Sequence, residues 1–392
     1  MNRILLLAWR YIAFHRTIST ILLVSITATL YLPITASILT NRMEQQLFAR
    51  AETTPLIVGA KGSRFDLTLN ALYFEARAPQ LISMSEVEAV ESSGLASAVP
   101  LHIGYRAQGY PLVGTTLEYF DLRKLAVAAG SNLGMLGDCL VGATVAEELG
   151  LQPGDRLLSD PENVFDIGGT YPLNMRVGGI LEESGSPDDR AVFVDIKTVW
   201  VIAGIGHGHQ ELSQESDSGV LLLQTDSQVV ANAALPQYTE VTPGNVGSFH
   251  FHSQSSDLPL TALIAVPHDN KSRVLLEGRF TDSGLRSQIL RPSRVVEEMM
   301  AMVLQIKKIF DAGMLVFAIT TGLFLVLVIV LSTRLRKREM HTMFKLGCSR
   351  LTIWKLQAAE LGMVVFASVV AAGILTVVTL PLATDLIRNL II

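Results

Sequence analysis

The sequence has 392 residues, of which 49% are hydrophobic, and its 31 basic and 36 acidic residues give a formal net charge of −5. It contains no stripe of interleaved basic and aromatic residues, so nucleic acid is not an expected partner. Its only two cysteines, Cys139 and Cys348, exclude a disulfide framework.

The chain begins with a basic segment, 1–16, which has three arginines and no acid and predicts an amphipathic helix. Three uncharged stretches follow, at 17–40, 312–333 and 361–384. About 20 apolar residues are enough to cross a bilayer, so each stretch predicts a transmembrane helix. The first stretch is longer than the roughly 7–15 apolar residues of a signal peptide, so we interpret it as an uncleaved span.

Charge predicts the orientation of these spans. Residues 334–357 carry seven basic side chains and one acid, whereas 41–311 carry 20 basic and 33 acidic side chains. By the positive-inside rule, 1–16 and 334–357 are cytoplasmic and 41–311 lies outside. The last residues, 385–392, then lie outside or at the membrane interface.

The outer segment has the composition of a globular domain with mixed helices and strands. A capping box at Ser85-Glu86-Val87-Glu88 predicts a helix that Gly94 closes, and 144–149 predicts a helix that Gly150 ends. A loop is expected at 204–219, and 200–258 is interpreted as an insertion in a domain built from both ends of the segment. Strands are predicted at 55–59, 155–158, 176–181, 191–196, 220–224 and 260–266.

A long helix is predicted over 294–333, because no proline or glycine interrupts it before Gly313. Its outer part, 294–311, would form a stalk between the domain and the second span.

We call 334–357 the elbow. Met340, Met343, Phe344 and Leu346 recur at helical spacing, and Gly347 can adopt positive φ and end their helix. Ser349 can cap the next helix. An apolar helix end flanked by cations suits a groove on an acidic soluble protein, and the alternative is a helix resting on anionic lipid.

Motifs for catalysis are weak in this sequence. Gly59-Ala60-Lys61-Gly62-Ser63 lacks the order of a phosphate-binding loop and predicts a tight turn instead. The chain contains no Walker sequence, so any ATP hydrolysis would belong to another chain.

Two histidine pairs, His207/His209 and His250/His252, are weak candidates for a metal site. An H-x-H sequence on a strand places both imidazoles on one face, and two such pairs could bind a metal ion. Solvated loop histidines are the simpler interpretation, and the sequence alone favours it.

The order of segments resembles the MacB/FtsX-type permeases of ABC transporters, which include macrolide exporters and lipoprotein-release permeases. In the outer domain the matching segments are Val113-Gly114-Thr115, Leu140-Val141-Gly142 with Val145-Ala146, Val177-Gly178-Gly179-Ile180 and 191–196. In the elbow and just after it, the matching residues are Arg338, Glu339, Leu346, Gly347, Ser349, Ile353 and Glu360.

This resemblance implies an α-helical membrane protein with a large extracytoplasmic α+β domain, the MacB-like periplasmic core with an insertion. It implies a permease subunit, not itself an enzyme and without a cofactor, that couples ATP hydrolysis on a separate subunit to motion of the outer domain for export or release of a substrate. ATP and Mg²⁺ would bind to that subunit. The expected ATPase-coupling residues are Arg338, Glu339, Met343, Phe344, Lys345, Leu346, Gly347, Cys348 and Ser349.

The expected partners are two copies of an ABC ATPase, a second permease copy or paralogue, the lipid bilayer and a periplasmic protein or lipoprotein. The expected location is the inner membrane of a Gram-negative bacterium. The alternative function is a membrane-anchored sensor or scaffold that signals ligand binding through the elbow. Family members usually have four spans, so this chain is expected to be a three-span variant, to have a short interfacial last helix, or to be truncated.

Overall fold

A computed structural model describes residues 2–75, 80–161, 172–208, 221–225, 228–231, 238–251, 253–280, 286–335, 341–342, 344–345, 347 and 349–391. The chain divides into two compact units. We call Met1–Leu47 with Glu298–Leu390 the helical unit, and Phe48–Glu297 with Ile391–Ile392 the sheet unit.

The helices, in chain order, are α1 (Asn2–Phe14), α2 (Arg16–Glu52), α3 (Arg64–Tyr73), α4 (Ser85–Ser92), α5 (Leu117–Arg123), α6 (Ala143–Leu149), α7 (Ile196–Ile202), α8 (Asn270–Arg279), α9 (Pro292–Leu335) and α10 (Arg350–Ile391). The strands are β1 (Leu56–Ala60), β2 (Ile82–Ser83), β3 (Ala96–Ala107), β4 (Tyr110–Thr115), β5 (Val127–Gly130), β6 (Asp138–Val141), β7 (Arg156–Leu158), β8 (Asn174–Leu181), β9 (Val192–Asp195), β10 (Gly206–Gly208), β11 (Leu221–Thr225), β12 (Gln228–Ala231), β13 (Phe249–Phe251), β14 (Pro259–Leu260), β15 (Ala262–Pro267) and β16 (Ser287–Leu290).

All three predicted spans are helical. Within the described residues, two helices are long and apolar enough to cross a membrane: Arg16–Glu52, with a mean hydropathy of 1.9, and Arg350–Pro381, with 2.5. Arg16–Glu52 contains the predicted span 17–40, and Arg350–Pro381 covers 361–381 of the predicted span 361–384. The stretch 312–333 lies within α9, where its role as a span stays a prediction.

Hydroxyl groups connect α2 and α10 within the helical unit. The Tyr31 hydroxyl donates to Thr379 Oγ1 at 3.1 Å, and the Thr35 and Thr376 hydroxyls are 3.3 Å apart. The Ser368 hydroxyl contacts the carbonyl oxygen of Leu23 at 3.3 Å. Small and hydroxyl-bearing residues let apolar helices approach closely and bond to each other where the surroundings are apolar.

The sheet unit is built around a mixed sheet that contains ten strands among the described residues, in the order β16-β1-β15-β3-β4-β9-β6-β8-β5, with β7 paired to β8. β1 lies between β15 and β16 and is antiparallel to both. The sheet therefore joins the first strand of the domain to its last two, as expected of a domain built from both ends of the segment.

Four strands of the sheet, β1, β4, β6 and β9, are buried along almost their whole length, whereas β8 alternates between buried and more exposed residues. One core cluster includes Leu112, Cys139, Val177 and Val194, and another includes Leu56, Val58, Leu263 and Trp200. Burial on both faces explains why these four strands lack a polar–apolar alternation.

The described residues between α7 and β14 form separate two-stranded ribbons and add no strand to the main sheet. This arrangement agrees with the predicted insertion over about 200–258, whose boundaries stay a prediction. The expected loop at 204–219 was wrong for Gly206–Gly208, which forms β10 and pairs with β13. The sequence missed it because its partner strand lies about 40 residues further along the chain.

Among the helix ends predicted from capping residues in this unit, the end of α6 is confirmed and the start of α4 is corrected. Gly150 ends α6 with φ of +67°, as predicted. The capping box at Ser85 was wrong, because Met84 is the N-cap and makes no side-chain bond. The carbonyl oxygen of Met84 instead accepts the backbone N–H groups of Val87 and Glu88, so α4 begins one residue earlier than a Ser85 cap requires.

Candidate functional site

The elbow turn has the geometry that the sequence predicts. Gly347 has φ of +95°, and its N–H donates to the carbonyl oxygen of Phe344 at 3.0 Å. The Ser349 hydroxyl then accepts the N–H of Thr352 at 3.2 Å and caps α10. Because only glycine adopts this φ without strain, Gly347 fixes the direction in which the chain enters α10.

The elbow turn exposes apolar and cationic groups together. Phe344 is 50% exposed, and the Arg350 guanidinium lies 5.8 Å from the centre of its ring. Lys345 is also exposed. The role of this surface in ATPase coupling stays a prediction. Five of the residues expected to act here lie outside the described residues, namely Arg338, Glu339, Met343, Leu346 and Cys348.

A second feature, which we call the Arg50 cluster, consists of Arg50, Tyr119 and Asp188 inside the sheet unit. Arg50 lies in the last turn of α2 and is 7% exposed. Its Nη1 and Nη2 donate to the two carboxylate oxygens of Asp188 at 2.5 and 3.0 Å. Nη2 also donates to the Tyr119 hydroxyl at 2.8 Å, and that hydroxyl donates to Asp188 Oδ1 at 2.7 Å.

The charges of the Arg50 cluster stabilise each other. Burial alone would raise the pKa of Asp188, but the charge of Arg50 and the hydrogen bonds from Arg50, Tyr119 and Ser186 lower it to about 2. Burial alone would lower the pKa of Arg50, and the Asp188 charge raises it instead. Burial raises the pKa of Tyr119, so this phenol stays a hydrogen-bond donor. Asp188 is therefore ionised and Arg50 protonated across the physiological range.

The backbone around Asp188 is packed closely enough to require a glycine. A Cβ at Gly142 would lie 2.3 Å from the carbonyl oxygen of Asp188 and 2.4 Å from that of Asp189. Gly142 thus lets β6 approach the short 3-10 helix Pro187–Arg190, which holds the carboxylate. This gives a physical reason for the glycine in the Leu140-Val141-Gly142 segment.

The Arg50 cluster ties the end of the first long helix to the core of the sheet unit. Sequence reasoning missed it, since its members are far apart in the chain and each is of a type common on surfaces. The one available signal was an arginine in the turn that ends a long helix.

The structure brings together two of the four candidate metal ligands. His207 and His250 are directly opposite each other on β10 and β13, with ring centres 5.1 Å apart. His209 and His252 lie outside the described residues. Among the residues that are described, no group of three or more histidine, cysteine, aspartate and glutamate side chains could hold a metal ion.

Two other residues noted in the sequence have structural roles. Ser63, in the glycine-rich segment 59–63, accepts the N–H of Asp66 at 3.2 Å and caps α3. Cys139 is fully buried in β6, and burial raises the pKa of its thiol to about 12. A thiol that stays protonated is a poor nucleophile, so Cys139 is a core residue.

Comparison with known families identifies the class of protein. The family model of the MacB-like periplasmic core domain matches residues 18–241, more than half of the chain. The chain therefore belongs to this family, the MacB/FtsX-type permeases of ABC transporters, as its sequence pattern implied.

Solved structures similar to this chain include two extracytoplasmic domains. One is the periplasmic region of MacB from Actinobacillus actinomycetemcomitans, with 10% identity, a TM-score of 0.35, and 64% of this chain and 97% of that chain covered. Another is the extracellular domain of the noncanonic ABC-type transporter YknZ from Gram-positive bacteria, with 13% identity, a TM-score of 0.32, and 60% and 98% covered. No curated protein sequence matches this chain.

Proposed function

We propose that this chain is the permease subunit of an ABC transporter and transmits ATP-driven motion from a separate ATPase to the sheet unit. The work done outside would be export or release of a substrate. Family membership supports the permease class. In this proposal a separate subunit binds ATP and Mg²⁺ and hydrolyses the ATP, because the sequence of this chain contains no Walker motif.

The observation that carries this proposal is the continuity of α9. It runs for 44 residues from Pro292, next to β16 of the sheet, to Leu335 at the start of the elbow. At 1.5 Å per residue it is about 66 Å long. An unbroken helix of this length joins the domain to the elbow by hydrogen-bonded backbone throughout.

The first long helix offers a second connection. α2 continues beyond the predicted span to Glu52, and Arg50 in its last turn is held by Asp188 and Tyr119. A buried bidentate ion pair is a rigid joint, since its atoms have fixed directions as well as opposite charge. Motion of α2 would then move the core of the domain with it.

The proposed assembly contains two permeases and two ATPases in the inner membrane, with the elbow in the cytoplasm and the sheet unit outside. The excess of basic residues over 334–357 supports this orientation. One elbow per chain supports the pairing, because ABC transporters act with two nucleotide sites. A periplasmic protein or lipoprotein would be the partner outside.

The test is co-expression of the full chain with a candidate ABC ATPase from the same genome, followed by purification and mass measurement. We expect two copies of each subunit. Phe344→Asp should weaken ATPase binding by about 2 kcal/mol or more, because it places a charge in the proposed contact. Leu117→Asp is the matched control, as Leu117 in the sheet unit is 49% exposed against 50% for Phe344.

Two outcomes would contradict the proposal. Equal recovery of the ATPase with Phe344→Asp and Leu117→Asp would show that the elbow is not its binding surface. Recovery of a kinase or regulator in place of an ATPase would support the sensor function. A mass that fits one permease with two ATPases would contradict the proposed permease dimer but not the proposed binding of the ATPase.

A further inference from the structure

The ribbon formed by β10 and β13 carries a regular alternation of residues. Gly206-His207-Gly208 pairs antiparallel with Phe249-His250-Phe251, so each phenylalanine faces a glycine and the two histidines face each other. Alternate residues on a strand point to opposite faces. The rings of Phe249 and Phe251 therefore lie on one face of the ribbon and the imidazoles on the other.

The aromatic face anchors the ribbon. A Cβ at Gly206 would lie 2.4 Å from the Phe251 ring, and one at Gly208 would lie 2.8 Å from the Phe249 ring, so the rings occupy the space above the glycines. Phe251 also packs edge-to-face on Trp200 at 6.0 Å. Phe249 packs against the core cluster that includes Leu112 and Val177. These contacts, on the face opposite the imidazoles, fix the backbone that carries the two histidines.

On the other face, one imidazole is held by a backbone carbonyl. His250 Nδ1 lies 3.0 Å from the carbonyl oxygen of Ser248. A carbonyl oxygen only accepts, so Nδ1 is the donor in this contact, and a metal ion would bind this ring through Nε2. Metal-binding histidines usually show this arrangement, in which a backbone carbonyl fixes the tautomer of the ligating ring.

The spacing of the two rings also fits a shared metal ion. Zn–N bonds of about 2.0–2.1 Å, extended by about 1.1 Å to each ring centre, place two imidazoles on a tetrahedral ion with centres about 5 Å apart. The ring centres of His207 and His250 are 5.1 Å apart. His207 is half-buried and His250 exposed, so the pair is open to solvent.

We propose that His207 and His250 form a two-histidine site for a divalent transition metal ion of the Zn²⁺ or Cu²⁺ type. Imidazole is a ligand of choice for both ions, and Cu²⁺ generally binds most tightly among the first-row divalent ions. Any coordination position that the protein leaves unfilled would take water or a ligand from a metal-carrying partner. The proposed site is independent of the proposed ATPase coupling.

The experiment is a calorimetric titration of the full chain with Zn²⁺ after treatment with a chelator. We expect one bound ion per chain and a loss of affinity of tenfold or more in both His207→Ala and His250→Ala. His268→Ala is the control, because His268 is an exposed histidine of the same unit outside the ribbon. It should bind Zn²⁺ like the wild type.

A spectroscopic arm distinguishes loss of ligand from loss of fold. Cu²⁺ bound to wild-type protein with ¹⁵N-labelled histidine should show two coordinated imidazole nitrogens in pulsed electron paramagnetic resonance. Trp200 fluorescence should be unchanged in the two variants. Unchanged Zn²⁺ affinity in His207→Ala and His250→Ala, or fewer than two imidazole nitrogens on Cu²⁺ in the wild type, would overturn the proposal.

Discussion

Asp188→Asn is expected to destabilise the sheet unit by about 3–5 kcal/mol, the usual cost of removing one partner from a buried ion pair. The substitution keeps the shape of the side chain but leaves the Arg50 guanidinium, 7% exposed, without an opposite charge. The measurement is unfolding of the full chain in detergent, followed by Trp200 fluorescence. Trp9 and Trp354, the other two tryptophans, are replaced by phenylalanine in all samples.

Two further variants make this result specific. Glu277→Gln breaks the partly exposed Glu277–Arg291 pair and should cost less than about 1 kcal/mol. Arg50→Met combined with Asp188→Leu removes both charges and should recover most of the stability lost in Asp188→Asn. A loss below about 1 kcal/mol in Asp188→Asn would show that the Arg50 cluster does not hold α2 in the domain.

The Arg50–Asp188 pair predicts that the stability of the protein depends on pH. The pKa of Asp188 is about 2 in the folded protein, below the value of about 3.9 expected in the unfolded chain. The unfolded state therefore binds the proton more readily, and stability falls as the pH drops from about 4 towards 2. The free energy of unfolding of the wild-type protein should therefore fall between about pH 4 and pH 2 because Asp188 becomes protonated. Asp188→Asn should not show this part of the decrease.

Gly347→Pro is expected to abolish coupling in the purified complex while the chain is still made and inserted. Proline fixes φ near −65°, which is incompatible with the observed +95°, and it removes the N–H that bonds to Phe344. Coupling free energies of about 1–3 kcal/mol correspond to roughly 5- to 150-fold effects, so loss of the turn should reduce permease-dependent stimulation of the ATPase about tenfold or more.

A pair of alanine variants provides the control for this turn. In Gly347→Ala only the positive φ is strained, because the new Cβ meets no described atom within 4 Å. Gly362→Ala makes the same chemical change within α10, where alanine favours the helix. Stimulation should fall in the first and stay unchanged in the second. Normal stimulation by Gly347→Pro would show that the turn has no role in coupling.

Local features were predictable from the sequence because they depend on nearby residues. The absence of proline and glycine between 294 and 312 predicted α9, and Gly347 and Ser349 predicted the elbow turn. The capping box at Ser85 failed because the Met84 backbone bonds to Leu258, a residue far along the chain, and this contact sets where α4 begins.

Long-range features were not predictable in the same way. Arg50 and Asp188 are 138 residues apart, and neither has a neighbour in sequence that marks it as buried. The histidine pairs were visible as a motif, but strand register decides that His207 faces His250. Without that register, the same sequence pattern is compatible with solvated histidines and with a metal site.

The central claim is that α9 transmits ATP-driven motion to the sheet unit. The stiffness of α9 can be tested by comparing two variants that lose the same surface side chains. Four exposed residues, Met302, Leu304, Gln305 and Ile306, are replaced together by glycine or by alanine. Both variants lose the same side chains, but four glycines weaken the helix by about 4 kcal/mol relative to four alanines.

The measurement is the ATP-dependent change in hydrogen exchange of the sheet unit in the reconstituted complex. The alanine variant should keep the change seen in the wild type, and the glycine variant should lose it while it still binds the ATPase. A glycine variant whose sheet unit responds to ATP as the alanine variant does, with the complex intact, would contradict the claim.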